Sequence, residues 1–207
     1  MKGGSGTTVV AAALALLLTD SSHVLLVDAS GDLPAVLGVP DVDGPGLADW
    51  LAADEVAPDA LGRLMVDAAP GLQLLPWRGG PAPPPGVDSD RLLAALATEH
   101  RPVVVDCGST GSPFALGLAA SASMSLLVLR PCFLALRRAL AAPVRPSGVI
   151  LVAEPGRALT RHDVEDVLNV PVRAELAWCE AVARAVDGGL SRSRLPRSLV
   201  KTLKEAA

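Results

Sequence analysis

The stretch KGGSGTTVVAAALALLL, residues 2–18, places a glycine-rich turn directly before an apolar segment of helical length. Glycines allow successive backbone N–H groups to converge on an anion, and the amino end of a helix adds a partial positive charge at the same point. A phosphate-binding loop has this organisation, usually with a lysine and then a hydroxyl residue after the last glycine. Here Thr7 and Thr8 occupy those two positions. The stretch therefore predicts a phosphate-binding loop that lacks the usual lysine.

Short apolar runs follow this loop and are separated by alanine-rich helical segments. The runs are HVLLVD (23–28), LQLLP (72–76), PVVVDC (102–107), MSLLVLR (124–130), GVILVA (148–153) and VPVRAEL (170–176). Continuous rather than alternating apolarity is typical of strands buried on both faces, hence of a parallel sheet. Helices are predicted at about 7–19, 57–66, 90–99, 112–121, 132–141, 160–168, 178–187 and 195–205. The class is therefore α/β, a doubly wound, mostly parallel sheet with helices on both faces.

Two of the predicted strands end in an aspartate. Asp28 ends the first run and Asp106 lies near the end of the third. The carboxyl ends of parallel strands form the edge of the sheet where ligands bind, and in phosphate-loop proteins one such aspartate helps to hold Mg²⁺. The sequence therefore predicts that both aspartates lie at a site for a nucleotide with Mg²⁺.

Together these motifs resemble the ParA/MinD family of deviant Walker A ATPases, which includes CpaE/TadZ-like pilus-positioning proteins. KGGSGTT looks like the family's KGGxGKT, VVVDCG like its Walker B strand, and LLVDAS like the strand that usually ends in D-x-D. The resemblance covers nearly the whole chain. It implies a P-loop NTPase fold and a homodimer that holds ATP or ADP, with Mg²⁺, between its subunits.

The resemblance also implies roles for individual residues. Lys2 stands in the place of the signature lysine that reaches into the partner's nucleotide site, and Asp28 is expected with it among the catalytic residues. Mg²⁺ is expected on Thr8 and Asp106, with Asp28 as the alternative carboxylate. The residues expected to hold the phosphates are Gly3, Gly4, Ser5, Gly6, Thr7 and Thr8.

Two departures from the family pattern bear on catalysis. Thr7 replaces the catalytic lysine: losing one charge-assisted phosphate contact costs about 1.5–3 kcal/mol in binding, whereas comparable cations contribute about 10³–10⁵ to the rate. Ser30 replaces the second aspartate, which positions the attacking water, and Asp32 lies two residues further on. We expect nucleotide binding with weak or absent hydrolysis. The alternative is a catalytically inactive pseudo-ATPase that serves as an interaction scaffold.

A third departure concerns the strand from which the family's phosphate loop is suspended, since only Met1 precedes Lys2. Removal of a central parallel strand would leave the backbone groups of two neighbouring strands unpaired. The expectation is a reading frame that starts upstream of Met1. A truncated chain that does not fold is the alternative.

Two charged residues are further candidates for ligand contacts. Arg130 follows the predicted strand at 124–129 and is a candidate for contact with phosphate or a partner. Glu154 is the only candidate for contact with the adenine base after the strand at 148–153. The Pro- and Gly-rich stretch 76–90 predicts a surface loop that leads to a helix capped by Asp88 or Ser89.

Composition limits the classes of partner and location. The 207 residues fit one domain, with a basic helix at 190–207, and the net charge of −4 provides no general attraction to nucleic acid. The 3 cysteines and 3 histidines are scattered, which indicates a reducing cytoplasm and no Cys/His metal site. No apolar run reaches the roughly 18 residues of a membrane span. The run at 9–18 predicts a buried helix rather than a secretory signal.

The carboxyl-terminal segment 190–207 carries five basic residues against one acidic residue. Leu195, Leu199 and Leu203 form a narrow apolar stripe, which predicts a final helix docked on its own domain. Contact with DNA or a membrane surface is the alternative. A protein cargo or activator is expected as a partner, and a pilus or secretion apparatus, a chromosome and a division site fit equally well.

Overall fold

The computed structural model describes residues 4–40, 43–57, 59–79, 87, 89–109 and 111–204. Lys2 and Gly3, two of the predicted site residues, and Asp88 lie outside these ranges. The strands are β1 (Val24–Asp28), β2 (Val66–Ala69), β3 (Leu72–Leu75), β4 (Val103–Asp106), β5 (Leu126–Leu129), β6 (Gly148–Ala153) and β7 (Val172–Ala177). The helices are α1 (Thr7–Leu18), α2 (Leu33–Leu37), α3 (Leu47–Ala52), α4 (Ala60–Leu64), α5 (Asp90–Leu96), α6 (Pro113–Ser121), α7 (Phe133–Leu140), α8 (Arg161–Leu168), α9 (Glu180–Asp187), α10 (Ser191–Arg194) and α11 (Arg197–Lys204).

Within the described ranges the strands form two sheets. The first has the order β2-β3-β1-β4 and the second the order β5-β6-β7. All pairs are parallel except β2 with β3, which places an antiparallel strand at one edge of the first sheet. Asp28 lies opposite Asp106 in the register of β1 with β4. The two aspartates therefore end neighbouring strands at the same edge.

Strand β1 shows why the first sheet needs helices on both faces. Leu25 and Val27 pack on one face in a core with Trp50 of α3 and Phe114 of α6. The intervening residues, 24 and 26, pack on the other face against α1 and α2. Every residue of β1 is buried, as its continuous apolar sequence predicts. The predicted α/β class, with helices on both faces of parallel strands, is confirmed.

The second sheet is covered in the same way. Val128 of β5 and Ile150 of β6 share a core with α1 and α11, while Leu129 and Leu151 pack on the opposite face with Leu136 of α7 and with α8. Helix α1 thus packs on both sheets.

Helix α1 runs antiparallel to the strands. Thr19, directly after the helix, lies beside Gly71 at the amino end of β3: a Cβ built on Gly71 would be 3.5 Å from the Thr19 Cβ. The 12 residues of α1 rise about 18 Å, close to the ~16 Å length of a five-residue strand such as β1. The amino end of α1 and the glycine loop before it therefore lie at the carboxyl edge of the sheet, where Asp28 and Asp106 end their strands.

The structure differs from the predicted elements in the segment before β3. The single helix predicted at 57–66 is the shorter α4, and β2 follows it after one residue. Strand β2 carries Asp67 at an exposed position and is only partly buried, so it has no apolar run of the kind that marked the other strands. Ser89 occupies the cap position of α5, although its side chain makes no capping hydrogen bond.

Candidate functional site

The glycine loop is held in a conformation that favours glycine. Gly4 has φ 85° and Gly6 has φ 92°, both in the left-handed region that other residues rarely adopt. Among the residues that the structure describes, a Cβ added at either position would meet no heavy atom within 4 Å. Backbone conformation therefore favours glycine at both positions.

The amino end of α1 has the features of an anion-binding site. Gly6 is the cap residue, its position supplies no side-chain capping bond, and the first turn contains no acidic residue. Val10 N–H donates to the Gly6 carbonyl at 2.9 Å, which is the first hydrogen bond of the helix. The N–H groups of the preceding turn, from Thr7 to Val9, have no partner within the helix. They point toward the loop, where the helix dipole favours negative charge.

Asp28 organises the loop that follows β1. Its Oδ1 accepts hydrogen bonds from the backbone N–H of Ser30 at 3.0 Å and of Gly31 at 2.7 Å, and its Oδ2 accepts one from Leu33 N–H at 3.3 Å. The side chain is fully buried. Burial raises the pKa of Asp28 above its ordinary value; the neighbouring Asp106 carboxylate adds to the rise, and the backbone N–H donors oppose it.

Ser30 connects the two buried carboxylates. Its Oγ lies 2.8 Å from Asp106 Oδ2 and 3.3 Å from Asp28 Oδ1. A hydroxyl carries one hydrogen, so the shorter contact indicates donation to Asp106. Ser30 stands where the family pattern has a second aspartate. In this chain the residue at that position links the two aspartates that end β1 and β4.

Gly108 allows this close approach from the side of β4. Its N–H donates to Asp106 Oδ1 at 3.0 Å, and its φ of 57° lies in the left-handed region. A Cβ at this position would lie 2.7 Å from the Ser30 Cβ. Sequence reasoning assigned Gly108 no role, although its place two residues after the strand-terminal Asp106 was a signal for a tight turn at the site.

The residues at this edge fit a magnesium ion bound together with phosphates. Asp28 and Asp106 are both fully buried, and a divalent cation would offset their mutual repulsion. Mg²⁺ prefers oxygen ligands and usually takes one or two carboxylates together with water and substrate phosphates. Among residues that the structure describes, no group of three or more His, Cys, Asp and Glu side chains could hold a metal ion. Bound phosphate or water would therefore have to supply the remaining ligands of Mg²⁺.

Arg130 and Glu154 bind each other. Arg130 Nη1 donates to Glu154 Oε1 at 2.6 Å, and Arg157 Nε donates to Glu154 Oε2 at 2.7 Å. The Arg157 hydrogen bond is the largest of the interactions that lower the pKa of Glu154. Both carboxylate oxygens are therefore engaged by arginine, which does not favour the predicted contact of Glu154 with an adenine base.

The predicted site residues that the structure describes therefore lie in two separate places. Gly4, Ser5, Gly6, Thr7 and Thr8 precede or begin α1 at the edge where Asp28 and Asp106 lie. Arg130 directly follows β5, Glu154 directly follows β6, and the two form a separate ion pair.

Comparison with known proteins relates this fold to solved structures. No family model and no curated protein matches the chain. A ParA family ATPase from Chlorobium tepidum TLS is 22% identical with a TM-score of 0.76, over 97% of this chain and 93% of that one. MinD complexed with Mg-ADP from Pyrococcus horikoshii OT3 is 23% identical with a TM-score of 0.77, over 99% and 90% of the two chains. The Pyrococcus furiosus cell division ATPase MinD is 24% identical with a TM-score of 0.77, over 99% and 94%. The chain therefore has the α/β fold of the ParA and MinD ATPases.

Proposed function

We propose that this protein binds ATP or ADP with Mg²⁺ between two copies of itself, and that the nucleotide-linked dimer positions a cellular cargo in the cytoplasm. One observation supports this proposal most strongly. The glycine loop, the amino end of α1 and the buried pair Asp28 and Asp106 all lie at the carboxyl edge of the first sheet. Solved structures of similar fold include a MinD complex with Mg-ADP and a Cyanothece McdA variant in complex with ATP.

Backbone groups and side chains have different proposed roles in binding the nucleotide. Backbone N–H groups from Gly4 to Thr8 donate hydrogen bonds to the phosphate oxygens, and Gly3 is proposed to contribute as well. The Thr8 hydroxyl and the Asp106 carboxylate hold Mg²⁺, which neutralises phosphate charge when bound. Asp28 keeps the loop after β1 in place through its three backbone hydrogen bonds and, with Lys2, is the proposed catalytic residue. Lys2 reaches the nucleotide of the partner subunit.

Hydrolysis is weak or absent in this proposal. Thr7 brings no positive charge to the phosphate that is transferred, and the Ser30 hydroxyl is directed to Asp106. A catalytically inactive scaffold is therefore the second candidate. The variant Thr7→Lys separates the two: a large gain in ATP hydrolysis indicates that the remaining residues form a working site, and no gain favours the scaffold.

The proposed cargo is one of the cellular structures that ParA/MinD-like proteins position. A pilus or secretion apparatus of the kind associated with CpaE-like proteins, a chromosome and a division site remain equal candidates. Similar folds occur in a MinC:MinD cell division complex from Aquifex aeolicus and in a putative plasmid partition protein from Borrelia burgdorferi B31. A protein cargo or activator is the proposed partner, and the basic residues of α11 are a candidate contact for DNA or a membrane surface.

Matched glycine substitutions test nucleotide binding. Gly6→Ala adds a methyl group at a φ of 92°, and Gly71→Ala adds one at a φ of 75°, so both variants carry similar backbone strain. Gly71 lies at the opposite edge of the sheet, before β3. We expect calorimetry to show loss of ATP binding in Gly6→Ala and normal binding in Gly71→Ala. Equal affinity in the two variants would remove the glycine loop from the proposed site.

A further inference from the structure

Helix α7 carries apolar side chains on its exposed face as well as on its buried face. Leu136 packs on the second sheet in a core with Leu129 and Leu151. On the exposed face, Phe133 is 77% and Leu140 is 60% accessible to solvent. The outer face of a surface helix is normally polar or charged. The exposed face of α7 therefore has the character of a surface that binds another molecule.

The exposed residues of α7 form one continuous strip. Successive helical residues are rotated by about 100°, so Phe133, Arg137 and Leu140 lie within about 60° of one another around the helix. Leu134 and Arg138 adjoin them and are exposed as well. We call these five residues the α7 strip. The strip is about 10 Å long, since a helix rises about 1.5 Å per residue, and this length matches two turns of a helix laid along it.

The charges of the α7 strip are positive and are not neutralised within the described part of the chain. Helix α7 contains no acidic residue, and neither Arg137 nor Arg138 forms an ion pair with a described residue. Just before the helix, Arg130 shares the single carboxylate of Glu154 with Arg157. Two guanidinium groups on one carboxylate leave a surplus positive charge there. The whole protein has a net charge of −4, so this basic surface is a local feature.

An acidic amphipathic helix has the chemistry that complements the α7 strip. Its apolar residues, spaced at i, i+3, i+4 and i+7, would cover Phe133 and Leu140. Carboxylates beside those residues would pair with Arg137, because a guanidinium binds a carboxylate through two parallel hydrogen bonds. Arginine and aromatic residues are the types enriched at protein interfaces. The composition of the strip therefore favours a protein partner.

A membrane surface complements the strip less well. Arg137 lies one turn after Phe133 and one turn before Leu140, on the same side of the helix. Insertion of the two apolar side chains into lipid would carry this guanidinium with them, whereas interfacial helices keep their charges on the face opposite the apolar one. A carboxylate of a protein partner can pair with Arg137 at the position where it lies.

A second copy of this chain is also a poorer occupant. Helix α8 has three acidic residues, which makes it the described helix with the most acidic side chains. Its apolar Val164 is completely buried in the core of the second sheet and is not available to a partner. Its carboxylates already have contacts within the same segment: Glu165 with Arg161, Asp166 with His162, and Asp163 with Thr160.

We propose that the α7 strip is the docking surface for an acidic amphipathic helix of a separate protein. The partner helix lies along α7 for about two turns, with apolar side chains on Phe133 and Leu140 and a carboxylate on Arg137. Arg130 and Arg157 attract further acidic residues at the amino end of α7. This inference stands on the surface of α7 alone and does not depend on nucleotide binding or on a dimer.

Two synthetic peptides test the proposal. Each has about 18 residues, enough to form a helix in water, and the same leucine stripe at helical spacing. The remaining positions are Glu in one peptide and Lys in the other. Fluorescence anisotropy measures their binding to the 207-residue chain. We expect saturable binding of the Glu peptide and at least about 10-fold weaker binding of the Lys peptide, although the net charge of −4 attracts Lys.

An apolar substitution locates the binding on the strip. Phe133→Ala should weaken binding of the Glu peptide by about 30-fold, the effect expected of a central interface residue. Val56→Ala is the matched control, since Val56 is 36% exposed and lies outside the helices, and its affinity should equal that of the unsubstituted chain. Both residues are exposed, so both variants should retain the Tm of the unsubstituted chain.

A charge reversal tests the choice of an acidic partner. The double substitution Arg137→Glu and Arg138→Glu should reverse the preference, so that the Lys peptide binds more tightly than the Glu peptide. The control is Arg63→Glu with Arg184→Glu, which makes the same change of net charge at exposed positions of α4 and α9. The control should keep the preference for the Glu peptide.

The other results contradict the proposal. Failure of the Glu peptide to bind, or equal affinity in Phe133→Ala, would overturn it. Binding to phosphatidylglycerol vesicles that Phe133→Ala abolishes, without binding of the Glu peptide, would assign the strip to a membrane. A molar mass that doubles without peptide, and does not double in Phe133→Ala, would assign it to a second copy. The peptide titrations contain no nucleotide, so their outcome is independent of whether the protein binds ATP.

Discussion

A single hydroxyl group, that of Ser30, connects the two buried carboxylates of the candidate site. Asp28 and Asp106 would otherwise face each other in a region where water provides little screening. The hydroxyl satisfies Asp106 Oδ2, while backbone N–H groups satisfy Asp28. Short-range hydrogen bonds from the loops after β1 and β4 therefore fix the positions of both carboxylates.

Removal of the Ser30 hydroxyl should destabilise the protein. Ser30→Ala leaves Asp106 Oδ2 without this donor, and we expect the free energy of unfolding to fall by about 1–3 kcal/mol. Ser21→Ala is the matched control because the Ser21 hydroxyl donates to the Leu18 carbonyl at an exposed position. Urea unfolding measures both, and the control should change by less than about 0.5 kcal/mol. Equal small effects would show that the bridge contributes little.

The raised pKa of Asp28 predicts a specific pH dependence. The folded-state pKa lies above 3.8, so the folded protein binds this proton more tightly than the unfolded chain does. The contribution of Asp28 to stability is therefore greatest below the unfolded pKa and falls as pH rises through the folded pKa. Asp28→Asn abolishes this titration. The stability of the variant relative to the unsubstituted protein should increase as pH rises above 3.8, the ordinary pKa of an aspartate.

Asp59→Asn provides a control of opposite sign. The hydrogen bond from Arg63 lowers the pKa of Asp59, so this carboxylate contributes stability above its unfolded pKa and loses it as pH falls through the folded value. The relative stability of this variant should therefore decrease as pH rises. Urea unfolding at several pH values measures both trends, and the same trend in the two variants would contradict the assignment for Asp28.

Residue-scale features were predictable where they depend on local sequence. The positions of Asp28 and Asp106 followed from strands that end in aspartate. The Ser30 bridge did not, because it joins residues 76 positions apart, and only the pairing of β1 with β4 brings them together. The same pairing accounts for Gly108, whose need for a small side chain arises from Ser30.

Among the elements, α11 shows how an apolar stripe selects a helix face. Leu203 is completely buried against α1 and the second sheet, and Leu195 and Leu199 pack beside it. Lys204 Nζ lies 3.3 Å from Asp20 Oδ2, at the carboxyl end of α1. The predicted docking of the leucine stripe on the chain's own core is confirmed. Any contact with DNA or a membrane would therefore use the exposed basic face and not this stripe.

Truncation of Leu203 measures the strength of this docking. Leu203→Ala should lower the free energy of unfolding by about 2–5 kcal/mol, because it removes apolar surface and leaves a cavity. Leu140→Ala is the matched control, since the residue lies at the end of α7 and is 60% exposed. Thermal unfolding compares the variants. Equal Tm values for both would indicate that α11 does not contribute to the folded core.

Strands and helices differed in how well sequence predicted them. Strand β6 spans residues 148–153 as predicted, because its uniform apolar run fits a strand buried between two neighbours. Strand β2 was missed because a partly buried edge strand needs no such run. Helix α2 was missed because its five residues are too few for a helical period and it ends at Gly38, which has a φ of 65°.

At the scale of the whole molecule, α1 connects the two sheets and presents the glycine loop at their carboxyl edge. The order of strands, loops and helices along the chain was sufficient to predict this fold class. The break between the two sheets agrees with the expectation that two neighbouring strands lack a partner when no strand leads into the glycine loop. None of the helices in the described ranges is long and apolar enough to cross a membrane.

We propose that this protein binds nucleotide and that nucleotide binding drives dimer formation. The most direct measurement is calorimetric titration with ATP and with ADP, in the presence and absence of Mg²⁺, while light scattering reports the molar mass. Micromolar to sub-millimolar ATP binding that requires Mg²⁺ and doubles the mass is the predicted result. No binding at several millimolar nucleotide, with an unchanged mass, would contradict the account and favour a scaffold that has retained only the fold.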